Sequence, residues 1–509
     1  MEESQIKAFY NGKNLFITGG TGFVGLCLIE KILRTIPDVG KIYLLMRPKK
    51  GKEIADRLQE FPGNPVFEHL LQNTSKDIFN KLVPISGDVG VENLGINDND
   101  RQILIDEVNI VIHSAATLDF EENLRPTVKI NVLGTRYVMD LCQQIKNLKV
   151  MIHVSSAYVN SYLKEVDEKV YDRPADPENI INMVNTLTDD ALNDVERLIL
   201  KNHPNTYTFT KHLAEHEVKK CEAMFPISIV RPTMIVAALK EPVPGWTCSK
   251  VGPQGFLMGA AKGVVRRLPI AKENIADYIP VDIVVNQLLA AGWNAARQNS
   301  GLQVYHCSTS TQNPFRWSIL ESVVNKILTN YPLKSAVWYP HLAFVRSLWL
   351  FRLSAIFIHF FPAVLLDMLL RITGGKPILF RLHKNVWNSL SRLEVFIFTE
   401  WKFNNPRTRE LSAMMNKTDS ELFDIDVSKI YWEEYFVKLH LGVRRYLNKE
   451  TEKTLAAAKT KNNILYYVHI IWQVMILGLL WVIISWVTGL GLTQTSWVIP
   501  PIYLLYSML

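Results

Sequence analysis

Residues 14–25 read NLFITGGTGFVG, a short apolar run that ends directly in glycines at 19, 22 and 25. No other stretch constrains the chain as strongly. Glycine at these positions lets a backbone turn sharply and pass close to a bulky neighbour, because no Cβ intervenes. Two readings fit the triplet by itself. One is a plain tight turn; the other is a cradle for an anion at a helix N-terminus, where free N–H groups and the helix dipole favour negative charge. The flanking sequence decides between them.

Those flanks alternate between strand-like and helix-like segments. KNLFIT is an apolar strand, and GFVGLCLIEKILRT after it keeps a helical spacing until Pro37. Further buried strands are KIYLLMR (41–47), KLVPISGDV (81–89), NIVIHSAA (109–116) and KVMIHVSS (149–156), with a helical stretch over 125–147. A helix near 205–224 and the strand PISIVRPTMIV (226–236) extend the series. Alternation of this kind predicts βαβ units and an α/β fold, a Rossmann-type doubly wound parallel sheet. In that setting Gly19 permits the turn, Gly22 lets the backbone approach a pyrophosphate, and Gly25 allows close helix–strand packing.

A chain of 509 residues exceeds a single core. The expected divisions are a dinucleotide-binding domain over 1–270, a substrate-binding extension over 271–345, a mostly helical C-terminal domain over 346–448 and a transmembrane helix over 464–487. No Asp, Glu, Lys or Arg occurs from Asn462 to Leu509. The 24 residues 464–487 make about 36 Å of helix, enough for a hydrocarbon core of roughly 30 Å. Tyr466, Tyr467, Trp481 and Trp486 suit its interfaces, and Lys449, Lys453, Lys459 and Lys461 precede it, which predicts a cytosolic N-terminal part. The run WVIPPIYLLYSML (497–509) is short for a span, and a re-entrant or interfacial segment fits it equally. LSAIFIHFFPAVLL (353–366) reads as a core helix pair, an interfacial helix or the lining of an acyl pocket. The net charge of +7 is too diffuse to argue for nucleic acid but suits phosphates and lipid headgroups. Five scattered cysteines without a CxxC pair indicate neither a disulfide framework nor a metal site.

Chemistry is concentrated in NTYTFTKHLAEHEV. Tyr207 and Lys211 stand one helical turn apart and share a face. A phenol with a pKa near 10 exchanges protons poorly at neutral pH, and an adjacent ammonium stabilises its phenolate. Ser156 follows a buried strand in HVSSAYVN, at the sheet edge where ligands of such folds bind, and its hydroxyl can bond a substrate carbonyl. Spacing does not separate it from Ser155. Asn131 in KINVLGT is a fourth candidate, holding a water or the active-site backbone; a helix-interior asparagine bonded locally would look the same. Arg47, Lys49 and Lys50 stand where an NAD-selective fold carries a carboxylate, which favours a 2′-phosphate, and Asp88 in GDV is placed for the adenine.

TGGTGFVG, Arg47, GDV, HSAA, NVLGT, the Ser-Ser strand end, YTFTK and VRP together resemble the extended short-chain dehydrogenase/reductases. HSAATLDFEENL (113–124), EPVPGW (241–246), IPVDIVVN (279–286), NPFRW (313–317) and FDIDVSKIYWEEYF (423–436) narrow the resemblance to animal fatty acyl-CoA reductases. It covers nearly the whole chain. That resemblance implies Tyr207 as the acid, Lys211 as its partner, Ser156 as the carbonyl donor at a position more usually threonine, and Asn131 beside them. It implies a dinucleotide site of Gly19, Gly22, Phe23, Gly25, Arg47, Asp88, Val89, Lys211 and Pro232. The implied reaction takes long-chain acyl-CoA to a primary alcohol through an aldehyde, with NADPH as reductant, on an endoplasmic reticulum or peroxisomal membrane. Two rivals share the Rossmann and YxxxK parts: a membrane-bound sterol or nucleotide-sugar dehydrogenase or epimerase, and a non-catalytic NADP-binding protein. Chain-length preference and oligomeric state are not legible.

Overall fold

A computed structural model describes residues 2–49, 51–120, 122–298 and 301–501. Lys50 and the end of the second apolar run, 502–509 with its terminal SML, lie outside the described residues. The chain forms two compact units, each assembled from separated segments. The first comprises 1–247, 277–315 and 400–431; the second comprises 248–276, 316–399 and 432–509.

The first unit is built on seven parallel strands: β1 Leu15–Thr18, β2 Ile42–Met46, β3 Leu82–Ser86, β4 Ile110–His113, β5 Val150–Val154, β6 Ile227–Pro232 and β7 Leu302–Cys307. Their order across the sheet is β7-β6-β5-β4-β1-β2-β3. Every residue of β1, β2, β4, β5 and β6 is buried, as helices on both faces require. At the edge, β3 is only half-buried and carries Pro84, whose missing N–H matters least there. Strand order reverses between β1 and β4, which are paired in register with Thr18 opposite His113. Ligands of such sheets bind in the crevice beyond the carboxyl ends at that reversal.

Four helices frame the crevice. Helix α1, Phe23–Thr35, follows the glycine loop. Helix α2 runs over 124–142 and opens into a π turn at Val128–Leu133. Helix α3, Thr206–Lys219, is buried over nearly its whole length. Helix α4, Val281–Gln298, is buried on every face until its last turn and leads into β7. The sequence pattern predicts one strand over 226–236, but the sheet strand stops at Pro232. Residues Met234–Val236 leave it to pair with Tyr278–Pro280.

The second unit is mostly helical. Its longest helices are α5 over Leu348–Ile372, α6 Leu379–Phe398 and α7 Leu455–Thr488, beside one short parallel pair, Arg267–Pro269 with Ala343–Val345. Among the described residues, α5 and α7 are the two helices long and apolar enough to cross a membrane.

Candidate active site

Gly19 sits at φ +76°, and a Cβ there would lie 2.8 Å from the Ala115 nitrogen. The loop therefore lies directly against the chain leaving β4. Gly22 is the N-cap of α1 and offers no side chain to its first turn, so those N–H groups remain available to an anion. A Cβ on Gly25 would stand 2.2 Å from the Gly19 carbonyl oxygen and 2.6 Å from the Gly20 Cα. The close approach at Gly25 is thus to the loop's own backbone. Both neighbours are main chain and cannot swing aside. Gly25→Ala is accordingly expected to cost roughly 1–3 kcal/mol and to weaken dinucleotide binding about tenfold or more. Titration of the purified variant with the dinucleotide measures this; wild-type affinity would rule out the cradle. The glycine geometry suits a pyrophosphate.

Arg47, just past β2, is 61% exposed and pairs with Asp88 at 2.9 Å. Asp88 also accepts from the Gly90 N–H at 2.9 Å. Arg57, which sequence reasoning passed over, donates to the Arg47 carbonyl. Phe23 begins α1 with its ring centroid 5.4 Å from that of buried Trp246. Val89 is buried under Gly134, whose Cβ would lie 2.7 Å from the Val89 oxygen. Pro232 ends β6 opposite Cys307 of β7.

Helix α3 begins where it does because Asn205 caps it, its side chain accepting from the Thr208 N–H at 2.9 Å. That start places Tyr207 in the first turn and Lys211 in the next, both buried. Burial pushes the Tyr207 phenol up to about 12, and a hydrogen bond with Ser156 opposes the rise. Burial pulls the Lys211 ammonium down to about 8 against the attraction of Glu215. Lys211 Nζ donates to the Val154 carbonyl at 2.7 Å, which ties α3 to the end of β5. An ammonium one turn away is expected from sequence to lower the phenol's pKa, but desolvation outweighs any such effect. A protonated phenol is the form that donates a proton.

The two adjacent serines have different partners. Ser155 donates to Glu215 at 2.5 Å. Glu215 also accepts from Arg231 at 2.8 and 2.6 Å, with both side chains fully buried. Burial would raise the Glu215 carboxyl, but the Arg231 guanidinium and the Ser155 hydroxyl hold it below the usual range. Ser156 accepts from the Tyr158 N–H at 3.3 Å and meets Tyr207.

Asn131 lies inside the π turn and is bonded away from its own helix. Its Oδ1 accepts from the Thr117 N–H at 3.0 Å and its Nδ2 donates to Thr210 Oγ1 at 3.0 Å. Its carbonyl accepts from Thr135 Oγ1 at 2.7 Å. Since Thr135 donates its only proton there, it accepts from His113 Nε2 at 3.1 Å. His113 Nδ1 must then accept from Thr18 Oγ1 at 2.7 Å, and that oxygen accepts from the Ala115 N–H at 3.2 Å. Burial, with Lys211 adding to it, pulls the His113 imidazole down to about 3 and keeps it neutral, as this directed chain requires. Thr18, His113, Thr135, Thr210, Glu215 and Arg231 were not singled out from sequence. Histidine within an apolar strand was the available signal.

The Lys211 shift carries a pH prediction. Activity that needs the ammonium is expected to fall as pH rises through about 8, tenfold per unit beyond it. Stability moves the other way. The unfolded lysine titrates near 10.4, so between these values the unfolded chain binds more protons and this group's contribution to stability rises with pH. Rate and thermal midpoint measured together over pH 6–10 separate the two; a flat rate would remove Lys211 from the chemistry.

A family model described as "Male sterility protein", of the NAD-binding kind, matches residues 17–288, and a second of the same description matches 358–450. The chain is 52% identical to the Drosophila melanogaster protein CG8306, provisionally named a fatty acyl-CoA reductase, covering 100% of both. It is 35% identical to fatty acyl-CoA reductase 1 of Homo sapiens and of Rattus norvegicus, covering 94% of this chain and 92% of each relative. In fold it is similar to the reductase domain of a non-ribosomal peptide synthetase from Mycobacterium tuberculosis. That likeness has a TM-score of 0.56 at 15% identity, over 88% of this chain and 96% of that one. The terminal R domain of the myxalamid pathway gives 0.54 at 17% identity, over 84% and 90%.

Proposed function

Because the chain belongs to the fatty acyl-CoA reductase family, we propose that its first unit reduces fatty acyl-CoA to the primary alcohol, with Tyr207, Ser156 and Lys211 at the reacting carbonyl. The observation that supports this reading is the buried Tyr207–Lys211 turn of α3, tied by Lys211 Nζ to the Val154 carbonyl at 2.7 Å, at the strand end that Ser156 follows. The sterol or nucleotide-sugar alternative has no need of the region 358–450, which matches the second family model.

A bound nicotinamide dinucleotide supplies the hydride in each of two reductions. Ser156 donates to the thioester oxygen and stabilises the charge that develops there. Tyr207 delivers its proton as the tetrahedral centre forms. Collapse of that centre re-forms the carbonyl, returns the hydroxyl proton to the Tyr207 phenolate and breaks the C–S bond, and the departing thiolate of coenzyme A takes up a proton from solvent. The aldehyde then turns its carbonyl to the same hydroxyl pair, and Tyr207 protonates the alkoxide. Lys211 holds positive charge beside the phenol while its proton is away, and Asn131 keeps α2, α3 and the 115–117 chain in register. Ser156 is favoured over Ser155 because Ser155 is bonded to Glu215.

NADPH is the proposed donor. The Arg47–Asp88 pair is largely exposed, so parting it costs roughly 0–1 kcal/mol, whereas a charged hydrogen bond to a 2′-phosphate contributes about 1.5–3 kcal/mol. Arg47→Ala is expected to raise KM for NADPH about 10–100-fold while leaving KM for NADH nearly unchanged. Equal effects on both would mean that Arg47 does not read the 2′ position. Helix α7 is the proposed anchor, with Lys449 and Lys453 before it and Lys459 and Lys461 in its first turns on the cytosolic side of an endoplasmic reticulum or peroxisomal membrane. Purified protein with NADPH and palmitoyl-coenzyme A, followed by thiol release and by mass of the alcohol, tests the whole reading. No product across a range of acyl lengths would end it.

A further inference from the structure

Helices α5 and α6 form an antiparallel hairpin with aromatic and polar pairs between them. Phe351 stacks on Trp387 with ring centroids 5.8 Å apart, and His359 stacks on His383 at 5.2 Å. Arg352 pairs with Glu394 at 3.1 Å. Asp367 accepts from the Leu379 and Phe380 N–H groups at 3.0 and 2.9 Å and so caps α6. Pro362 is accommodated because the turns before it, Ile356–Phe360, have π geometry. Ser354 and His359 are buried, yet Trp349, Ile356, Phe357, Phe361, Met368 and Ile372 are 54–82% exposed.

This burial is inverted relative to a water-facing helix. The exposed residues recur at helical spacing and form one continuous apolar face. A patch of that kind marks an interaction surface. Its surroundings identify the partner. Between 371 and 384 lie Arg371, Lys376, Arg381 and Lys384 with no Asp or Glu. A one-sided apolar face with a cationic end fits the headgroup and acyl boundary of an anionic leaflet. It does not fit a spanning hairpin, because α6 carries Arg381, Lys384 and Glu394 and, of the two helices, only α5 is long and apolar enough to cross.

We propose that the α5–α6 hairpin is a second membrane-binding element, lying in the plane of an anionic bilayer with Phe357 and Phe361 among the acyl chains and the 371–384 cations on the phosphates. The proposal is independent of the catalytic reading and of whether α7 spans. A local supply of acyl chains beside a reductase follows from it.

The test uses the full chain with Cys248→Ser, the other four cysteines being buried. Single cysteines carrying an environment-sensitive fluorophore are placed at Phe357→Cys, with Ile372→Cys as a second hairpin site in case the first fails to fold. Met475→Cys on α7 and Leu198→Cys on the first unit serve as controls. The protein is presented to phosphatidylcholine vesicles with and without phosphatidylserine, both containing lipid spin-labelled near the headgroup. At 357 and 372 the emission is expected to shift blue and fall by about half with phosphatidylserine present, and the response is expected to shrink in Arg371→Gln/Lys376→Gln/Arg381→Gln. Leu198→Cys should not respond. Hairpin labels that stay open to aqueous iodide and unquenched by lipid overturn the proposal, whatever the α7 label does. Protection that depends on protein concentration without lipid also overturns it, pointing to a second copy of the chain.

Discussion

Tyr207→Phe is expected to lower kcat/KM for acyl-coenzyme A by about 10²–10⁴ while leaving the dissociation constant for the dinucleotide within about threefold. The asymmetry follows from what the substitution removes. The ring keeps its place against Phe120, 5.5 Å between centroids, and only the hydroxyl bonded to Ser156 is lost. Deleting one buried hydrogen bond costs about 1 kcal/mol, too little to unfold a unit with a seven-stranded core. The chemical step, by contrast, loses the proposed proton donor. Turnover within tenfold of wild type would mean the proton comes from elsewhere. Loss of both turnover and dinucleotide binding would point to damaged folding, which the thermal midpoint reports.

Glu215→Ala has the largest expected effect on stability, because it strands the Arg231 guanidinium. That group is fully buried, and its remaining partners are the Lys169 carbonyl at 2.9 Å, the Asp167 carbonyl at 3.3 Å and His306 at 3.3 Å. Breaking a buried pair by removing one partner costs about 3–5 kcal/mol, a drop of about 5–8 °C in the midpoint for a unit of this size. Replacing both charges, as Glu215→Leu with Arg231→Met, is expected to recover at least half of that, since the desolvation cost of the ions goes with them. Comparing the three unfolding curves checks this; a double variant no better than Glu215→Ala would mean the lost contacts are local packing. Glu215 also attracts the Lys211 proton, so in whatever fraction folds, the alkaline fall in rate is expected at lower pH than in wild type.

Much of this arrangement was legible in the chain itself, for a physical reason. The all-buried strands β1, β2, β4 and β5 announce themselves as apolar runs interrupted by little besides Thr18, His113 and His153, because a strand covered on both faces has no polar side to show. The glycine loop was readable because positive φ at Gly19 and the contact of Gly25 with its own loop exclude a Cβ. Tyr207 and Lys211 share a face by helical geometry alone. Each of these depends on residues within a turn or two of one another.

Pairings between distant segments were decided only in the tertiary structure. Ser155 and Ser156 are indistinguishable by spacing, and Glu215, sixty positions beyond Ser155, separates them. His113 links Thr18 to Thr135 across 95 and 22 positions, through bonds whose direction follows from the Asn131 carbonyl. The strand at 302–307 joins the sheet beside β6 although more than fifty residues of other structure separate them, and 400–431 folds back into the same unit. Periodicity records which face of an element is buried but not what it is buried against. Partner choice reflects the packing and desolvation of the whole core, and that information has no local imprint.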